Sequence, residues 1–275
     1  MSNLIGIATW NFGEGSLAER IERFAGMGYN AVSLIARDAG ALCRGETGDV
    51  EDAIARHSLP VTIHGGLAPK GVPIDAGAVL ADFERYAAWH AKTGALVSVN
   101  YDAAKVQAED GTWEFQSEAM RDVLDSMLRV SEGAGFTVGI EDWPRDAEQL
   151  RVVEGLRRYA HYGVLIDLGH MNMRVRGAED PDYPFPVEAV KGYLDRIELP
   201  VNELHVHNNN GRRDMHAPPT SGTADMAVVA SLLAAKGVDC ISTIELVPAW
   251  CGLSDEEGFE AARDALAFWR EALVK

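Results

Sequence analysis

The chain has 275 residues, with 25 Lys and Arg against 42 Asp and Glu, a formal net charge of −17. A phosphate backbone is gripped mainly by Lys and Arg, so this excess of carboxylates argues against nucleic acid as a partner and, equally, against an anionic membrane surface. Hydrophobic residues make up 47% of the chain, enough for a sizeable core, and no apolar run reaches membrane-spanning length. The cysteines, Cys43, Cys240 and Cys251, are odd in number and lack C-x-x-C spacing, so they read as free thiols in a reducing compartment. The opening MSNLIGIATW has no basic stretch before its apolar run, which points to a cytoplasmic rather than an exported protein.

Short apolar runs alternate with amphipathic stretches from end to end. The strand-like runs are 4–10, 31–36, 60–64, 95–100, 136–141, 163–167, 202–207 and 241–246, rich in Val, Ile and Leu as buried parallel strands are. Ser16 has the chemistry of an N-cap, with Leu17, Ile21, Phe24 and Ala25 following at helical spacing. Helical patterns also cover 50–57, 76–92, 118–132, 146–159, 187–197, 225–236 and 255–273, while 168–186 reads as a long loop carrying Asp180, Asp182 and Tyr183. Several helices stop at glycine just before the next strand, at Gly28, Gly94, Gly135, Gly163 and Gly237. Eight such β-α units without a linker or a change of composition predict one (β/α)8 TIM barrel domain over 1–275, of class α/β. An open doubly-wound sheet is the alternative.

In such a barrel the active site lies at the C-terminal strand ends. The eight ends are Trp10, Ala36, His64, Asn100, Glu141, Asp167, His207 and Glu245, and the last four are all metal-ligand types. Burying charged groups is costly unless they are paired or bound to metal, so four in succession point to a cation site. His205 lies two residues before His207, on the same strand face, and reads as a hydrogen-bonded core histidine one layer deeper. Three carboxylates and one imidazole suit a hard divalent ion, Mn²⁺ first, then Mg²⁺ or Co²⁺, with Zn²⁺ also compatible. Beyond the seventh strand, Asp214 and His216 read as a second metal site, a loop-stabilising pair, or a substrate clamp with Arg212 or Arg213.

At these residues the sequence resembles the xylose isomerase-like barrel superfamily, which includes ketose 3-epimerases, sugar phosphate isomerase/epimerases and endonuclease IV. The matching pieces are Glu141 in IEDW, Asp167 and His170 in D-x-x-H-M-N, His207 in H-x-H-N-N, and Glu245 in I-E-L. The resemblance implies one metal on Glu141, Asp167, His207 and Glu245, with Glu141 and Glu245 as acid and base. It places His170 and Arg213 on the substrate. The sequence departs where the epimerases carry a further substrate-binding glutamate, for here Ala147 stands between Asp146 and Glu148. The ligand types of endonuclease IV also recur, in His170, Asp214 and His216 as well as the four metal residues. Yet Asn100 stands where that enzyme has a histidine, and the net charge opposes a DNA substrate.

The expected chemistry is isomerisation or epimerisation of a ketose, keto-acid or small polyol through a metal-stabilised enediolate. A related lyase or dehydratase would pass through the same enediolate. His64 and Asn100 are further substrate-binding candidates, and Trp10, Trp143 and Trp250 are either the apolar wall of the site or core residues. A small carbohydrate-like molecule is the expected partner, and the resemblance allows a homo-oligomer. Two readings compete. Residues 13–18 read G-E-G-S-L-A and Asp38 follows the second strand, as in a dinucleotide oxidoreductase, but that leaves the ligand set unexplained and no nucleotide cofactor is expected. A non-catalytic binding barrel would need no ligand set at all. There is no G-x-S-x-G to support a serine hydrolase.

Overall fold

A computed structural model describes residues 4–13, 15–176 and 185–274. The strands are β1 (Ile5–Ala8), β2 (Ala31–Ile35), β3 (Val61–Gly66), β4 (Leu96–Asp102), β5 (Lys105–Gln107), β6 (Trp113–Phe115), β7 (Thr137–Glu141), β8 (Tyr162–Asp167), β9 (Val201–Val206) and β10 (Ile241–Ile244). The helices are α1 (Leu17–Met27), α2 (Ala36–Cys43), α3 (Gly48–His57), α4 (Ala76–Thr93), α5 (Ser117–Ser131), α6 (Ala147–Val153), α7 (Leu168–Arg176), α8 (Val187–Asp195), α9 (Met226–Ala235) and α10 (Asp255–Val274). Eight strands close in the order β1-β10-β9-β8-β7-β4-β3-β2, with parallel pairing, which is the topology of a TIM barrel. The chain falls into two compact units, 1–33 with 166–275, and 34–165. It passes between them inside β2 and inside β8, so the divisions fall within strands and not in linkers.

In the first unit, Ser16 caps α1 through a reciprocal pair. Its hydroxyl accepts from the Glu19 N–H at 3.2 Å, and the Glu19 carboxylate accepts from the Ser16 N–H at 2.7 Å. That carboxylate occupies the helix start where the dinucleotide alternative would place a pyrophosphate; Glu14 of that motif lies outside the described residues. Asp38, in the second unit, pairs with Arg37 at 2.9 Å. The apolar face of α1 packs on α10 through Phe12, Phe24 and Phe259, with ring centroids 4.9–5.4 Å apart. Buried aromatic rings at this spacing combine area burial with edge and offset attraction.

In the second unit, His90 fixes the turn from α4 into β4. Its Nδ1 accepts from the Leu96 N–H at 3.2 Å, so Nε2 carries the proton and donates to the Ala134 carbonyl at 3.0 Å. Phe136 packs against Phe83 and against the His90 ring. Among the described residues, no helix is long and apolar enough to cross a membrane.

Several expectations change: β1 stops at Ala8, before Trp10, and β3 runs past His64 to Gly66. Ala36 starts α2 and does not end β2, so two helices, α2 and α3, follow that strand. The expected loop 168–186 opens with α7, which begins directly after Asp167. Gly169 and Asn172 are poor helix formers and hid it, but the Asp167 carboxylate accepts from the His170 N–H at 2.6 Å and starts the helix as an N-cap does. Asp180, Asp182 and Tyr183 lie outside the described residues. Between β4 and α5, where no element was expected, β5 and β6 form an antiparallel hairpin.

Candidate active site

The first unit holds a buried cluster at the ends of β8, β9 and β10. Asp167 is the last residue of β8, His207 follows β9, and Glu245 follows β10. Their exposures are 1%, 0% and 7%. His207 Nε2 lies 2.9 Å from Asp167 Oδ2. His205, one layer deeper, is 1% exposed; its Nδ1 lies 3.0 Å from Glu245 Oε2, and its ring also faces Asp167 and Glu203 at 4.0 Å. Burial alone would raise the Asp167 carboxyl, but the positive charge of His207 and His170 holds it well below the usual carboxylate range. Glu245 follows the same logic. Burial pushes up, the His205 charge and hydrogen bond pull down, and the balance sits at about 2. Both groups are therefore ionised inside the protein, which is tolerable only beside cations.

Asp214 and His216 join this cluster. Asp214 Oδ2 lies 3.2 Å from His170 Nε2 and 3.1 Å from His216 Nε2. His216 stacks on His207 with centroids 4.0 Å apart, and its Nδ1 faces the Glu245 backbone carbonyl at 3.2 Å. Both ring nitrogens thus meet oxygens that only accept, which suits the doubly protonated ring. Burial lowers the His216 pKa, but the Asp214 hydrogen bond and the Glu245 charge outweigh it and raise it to about 9. Asp214 is held below its ordinary range: burial raises it, and the hydrogen bonds from His170 and His216 lower it further. His216 also has φ +46°, in the left-handed region that histidine, asparagine and aspartate enter more readily than other non-glycine residues. The Asn208–Ala217 bridge, with N···O distances of 2.8 and 2.9 Å, imposes it.

The run Asn208–Asn209 explains how this loop is held. Asn208 donates to the carbonyls of Pro219 and Ala224, each at 3.0 Å. Asn209 donates to the Gly169 carbonyl and accepts from Asn172 and from the Gly211 N–H, all at 2.8 Å. Gly169 itself is required by contact. A Cβ there would stand 2.0 Å from His207 Cε1, so only glycine lets the ring lie against α7.

In the second unit, Glu141 ends β7 and is 7% exposed. His64 Nε2 lies 3.5 Å from Glu141 Oε2 and 3.3 Å from Asp102 Oδ1. Asn100, expected at a strand end, is fully buried and donates to Ser98 Oγ at 3.2 Å; β4 runs on to Asp102, which takes the terminal position instead. Strand length hid Asp102, since Tyr101 before it continues the apolar pattern.

The remaining candidates separate. Trp143 is fully buried, so it is core and not a wall for substrate. Trp10 is half-buried in a 3₁₀ turn at Thr9–Asn11. Trp250 is 62% exposed and stands edge-on to His216, with centroids 5.4 Å apart. Arg212 and Arg213 are exposed, and their backbone N–H groups donate to Asn210 Oδ1 at 3.0 Å.

The first-unit residues fit a divalent cation. Asp167, His205 and Glu245 bring three ligand-type atoms within 4.8 Å of one another; His207, Asp214 and His216 do so too, but His216, protonated on both nitrogens, has no lone pair to offer an ion. Among the described residues, His207 Nδ1 and Asp214 Oδ1 are buried with no hydrogen-bond partner. Oxygen-rich sets with imidazole suit Mn²⁺, Mg²⁺ or Zn²⁺.

Residues 21–272 match the xylose isomerase-like TIM barrel family, and the chain belongs to it. No curated protein matches the chain in sequence. Solved structures share its fold. The 3-keto-D-glucoside 4-epimerase YcjR of E. coli aligns with TM-score 0.68 at 20% identity, covering 98% of this chain and 99% of that one. D-psicose 3-epimerase of Clostridium cellulolyticum H10, solved with D-tagatose, aligns with TM-score 0.68 at 14% identity over 98% and 99%. The IolI protein, solved with a zinc atom, aligns with TM-score 0.67 at 15% identity over 98% and 97%.

Proposed function

We propose that this protein is a divalent-metal-dependent isomerase or epimerase of a keto sugar or related polyol, working by proton transfer at carbon. The observation that carries this reading is the buried Asp167–His207 and Glu245–His205 cluster, with contacts of 2.9 and 3.0 Å at the ends of β8, β9 and β10. Asp167, His207 and Glu245 would hold the ion, with Glu141 as the fourth ligand on the family resemblance. Mn²⁺ suits the oxygen-rich set, and the zinc in IolI makes Zn²⁺ the second ion to test. The ion, when bound, polarises neighbouring carbonyl and hydroxyl oxygens and so acidifies the C–H beside them.

The protein's own groups do the rest. One of Glu141 and Glu245 removes the proton and the other returns it, so two carboxylates with different orientations are needed. His205 restrains Glu245 through its 3.0 Å contact, and His64 restrains Glu141 at 3.5 Å. His170, held to Asp167 and Asp214, and Arg213 orient the substrate oxygens. Asp214 and His216 act as the clamp of this loop, since both nitrogens of His216 are already engaged. The sugar epimerases among the structural neighbours support a carbohydrate substrate.

The test is incubation with a panel of keto sugars and keto-acids in D₂O with Mn²⁺, followed by NMR. Deuterium uptake at carbon that stops with a chelator is the expected result. Conversion without uptake would mean hydride transfer and would sink the proposal; loss of a leaving group with uptake would make the enzyme a lyase.

A further inference from the structure

The hairpin that follows β4 is absorbed by none of this chemistry. It is firmly held in the second unit. Gly71 N–H donates to the Lys105 carbonyl at 3.0 Å, and Gln116 bonds Val72 and Ile74 of the loop after β3 at 2.9 and 3.1 Å. Arg145, in the segment after Glu141, donates to the Asp142 carbonyl and lies 5.1 Å from the Phe115 ring centre. Between the hairpin and α6 opens a cleft of about 620 Å³, lined by Trp113, Glu114, Phe115, Ser117, Asp146 and Gln149, among others. It lies on the same C-terminal side of β4 and β7 as Glu141. Trp113 is 44% exposed there, with Lys70 Nζ 4.3 Å from its ring centre.

We propose that this cleft is a subsite for a second, neutral sugar ring, so that the substrate is a glycoside or oligosaccharide and not a free monosaccharide; this rests on the sugar epimerase reading above. An exposed indole offers an apolar plate for the C–H face of a pyranose. Around it, Glu114 and Asp146 accept hydroxyl protons, and Ser117 both donates and accepts. The first N–H groups of α5 add donors, because Gln116 at its N-cap makes no side-chain cap. The lining holds Glu114, Glu118, Asp146 and Glu148, which disfavour a phosphate, while the nearby cations are turned onto its aromatic rings: Lys70 lies 4.3 Å from the Trp113 ring centre, and Lys105 and Arg145 lie 4.6 and 5.1 Å from that of Phe115. A free ketose would leave the cleft unused.

The test measures binding of cellobiose, maltose, glucose, fructose and glucose 1-phosphate to the full chain with Mn²⁺, by calorimetry and saturation-transfer NMR. The expected result is that one disaccharide binds about three- to tenfold more tightly than its monosaccharide. Trp113→Phe should keep that advantage and Trp113→Ala should remove it. Ala119→Trp, which fills the cleft and leaves Trp113 in place, should remove it too. Glucose 1-phosphate should gain nothing over glucose. Equal affinities, no disaccharide binding, or an advantage that survives in folded Trp113→Ala and Ala119→Trp would overturn the subsite. Metal-dependent deuterium uptake by a ketose with no disaccharide advantage would refute the subsite alone. A Trp113-dependent advantage with no uptake on any keto sugar would refute the proposed function alone.

Discussion

Asp167 and Glu245 in the first unit, and Glu114 and Glu148 in the second, are all acidic, but they carry their charge under opposite conditions. The first pair is at most 7% exposed, each within 3.0 Å of an imidazole nitrogen. The second pair stands in solvent, where water screens it. A buried carboxylate constrains everything around it: an ionised partner, a fixed backbone, a glycine where a ring must approach. A solvated one constrains almost nothing. Chemistry that must not vary is therefore expected in the first setting, and selectivity that can vary in the second.

That contrast can be broken by substitution. The largest effect belongs to Glu245→Gln, which removes a base and a ligand-type oxygen together. Deuterium uptake should fall by roughly 10²–10⁴-fold, measured by NMR with Mn²⁺ present. Glu109→Gln, an exposed acid on the hairpin turn, should change it less than about twofold, consistent with ordinary surface substitutions. Equal losses in the two variants would erase the distinction.

Next is Gly169→Ala. The added Cβ meets the His207 ring, so the ring must shift. Mn²⁺ affinity, followed by calorimetry, should drop about 10–100-fold, the usual loss when a ligand's supporting contacts are disturbed. An unchanged affinity would show that His207 is not a ligand.

Asn209→Ala comes third. It leaves the Gly169 carbonyl and the Gly211 N–H without this partner, while Asn172 keeps Thr223 Oγ1, and should cost about 1–3 kcal/mol in urea unfolding. Mn²⁺ should offset it, adding about 2.7 kcal/mol when free ion reaches a hundredfold excess over Kd. No stabilisation by any divalent ion would count against a cation at this cluster.

The smallest effect is at Ser16. Ser16→Ala removes the hydroxyl that caps α1 and should cost about 1 kcal/mol, a Tm shift of about 2–4 °C by calorimetry. Mn²⁺ affinity should not move, since α1 carries none of the cluster.

Much of the barrel was legible because its signals are local. Apolar runs of strand length, glycine at helix ends and the Ser16 cap need only neighbouring residues to declare themselves. Glu141, Asp167, His207 and Glu245 were legible for the same reason, as charges closing apolar runs. What escaped depends on partners far apart in the chain. His205 reads as a hydrogen-bonded core histidine, but its partner appears only when β10 brings Glu245 to 3.0 Å. Asn208 and Asn209 stand in the H-x-H-N-N motif, but their role shows only once Asn172, Gly169, Pro219 and Ala224 supply their hydrogen bonds. Helix α7 was obscured by propensity, because Gly169 and Asn172 are there for contacts and not for helix formation.

The sequence by itself therefore determined the α/β alternation, the barrel class and which strand ends bear ligand-type residues, since each follows from residue type at a fixed period. Only the tertiary structure decided which carboxylate meets which imidazole, that Trp143 is core, that Asp102 and not Asn100 ends β4, and that Trp113 lines a cleft. Those outcomes depend on burial and on distances between strands, and neither exists until the chain has folded.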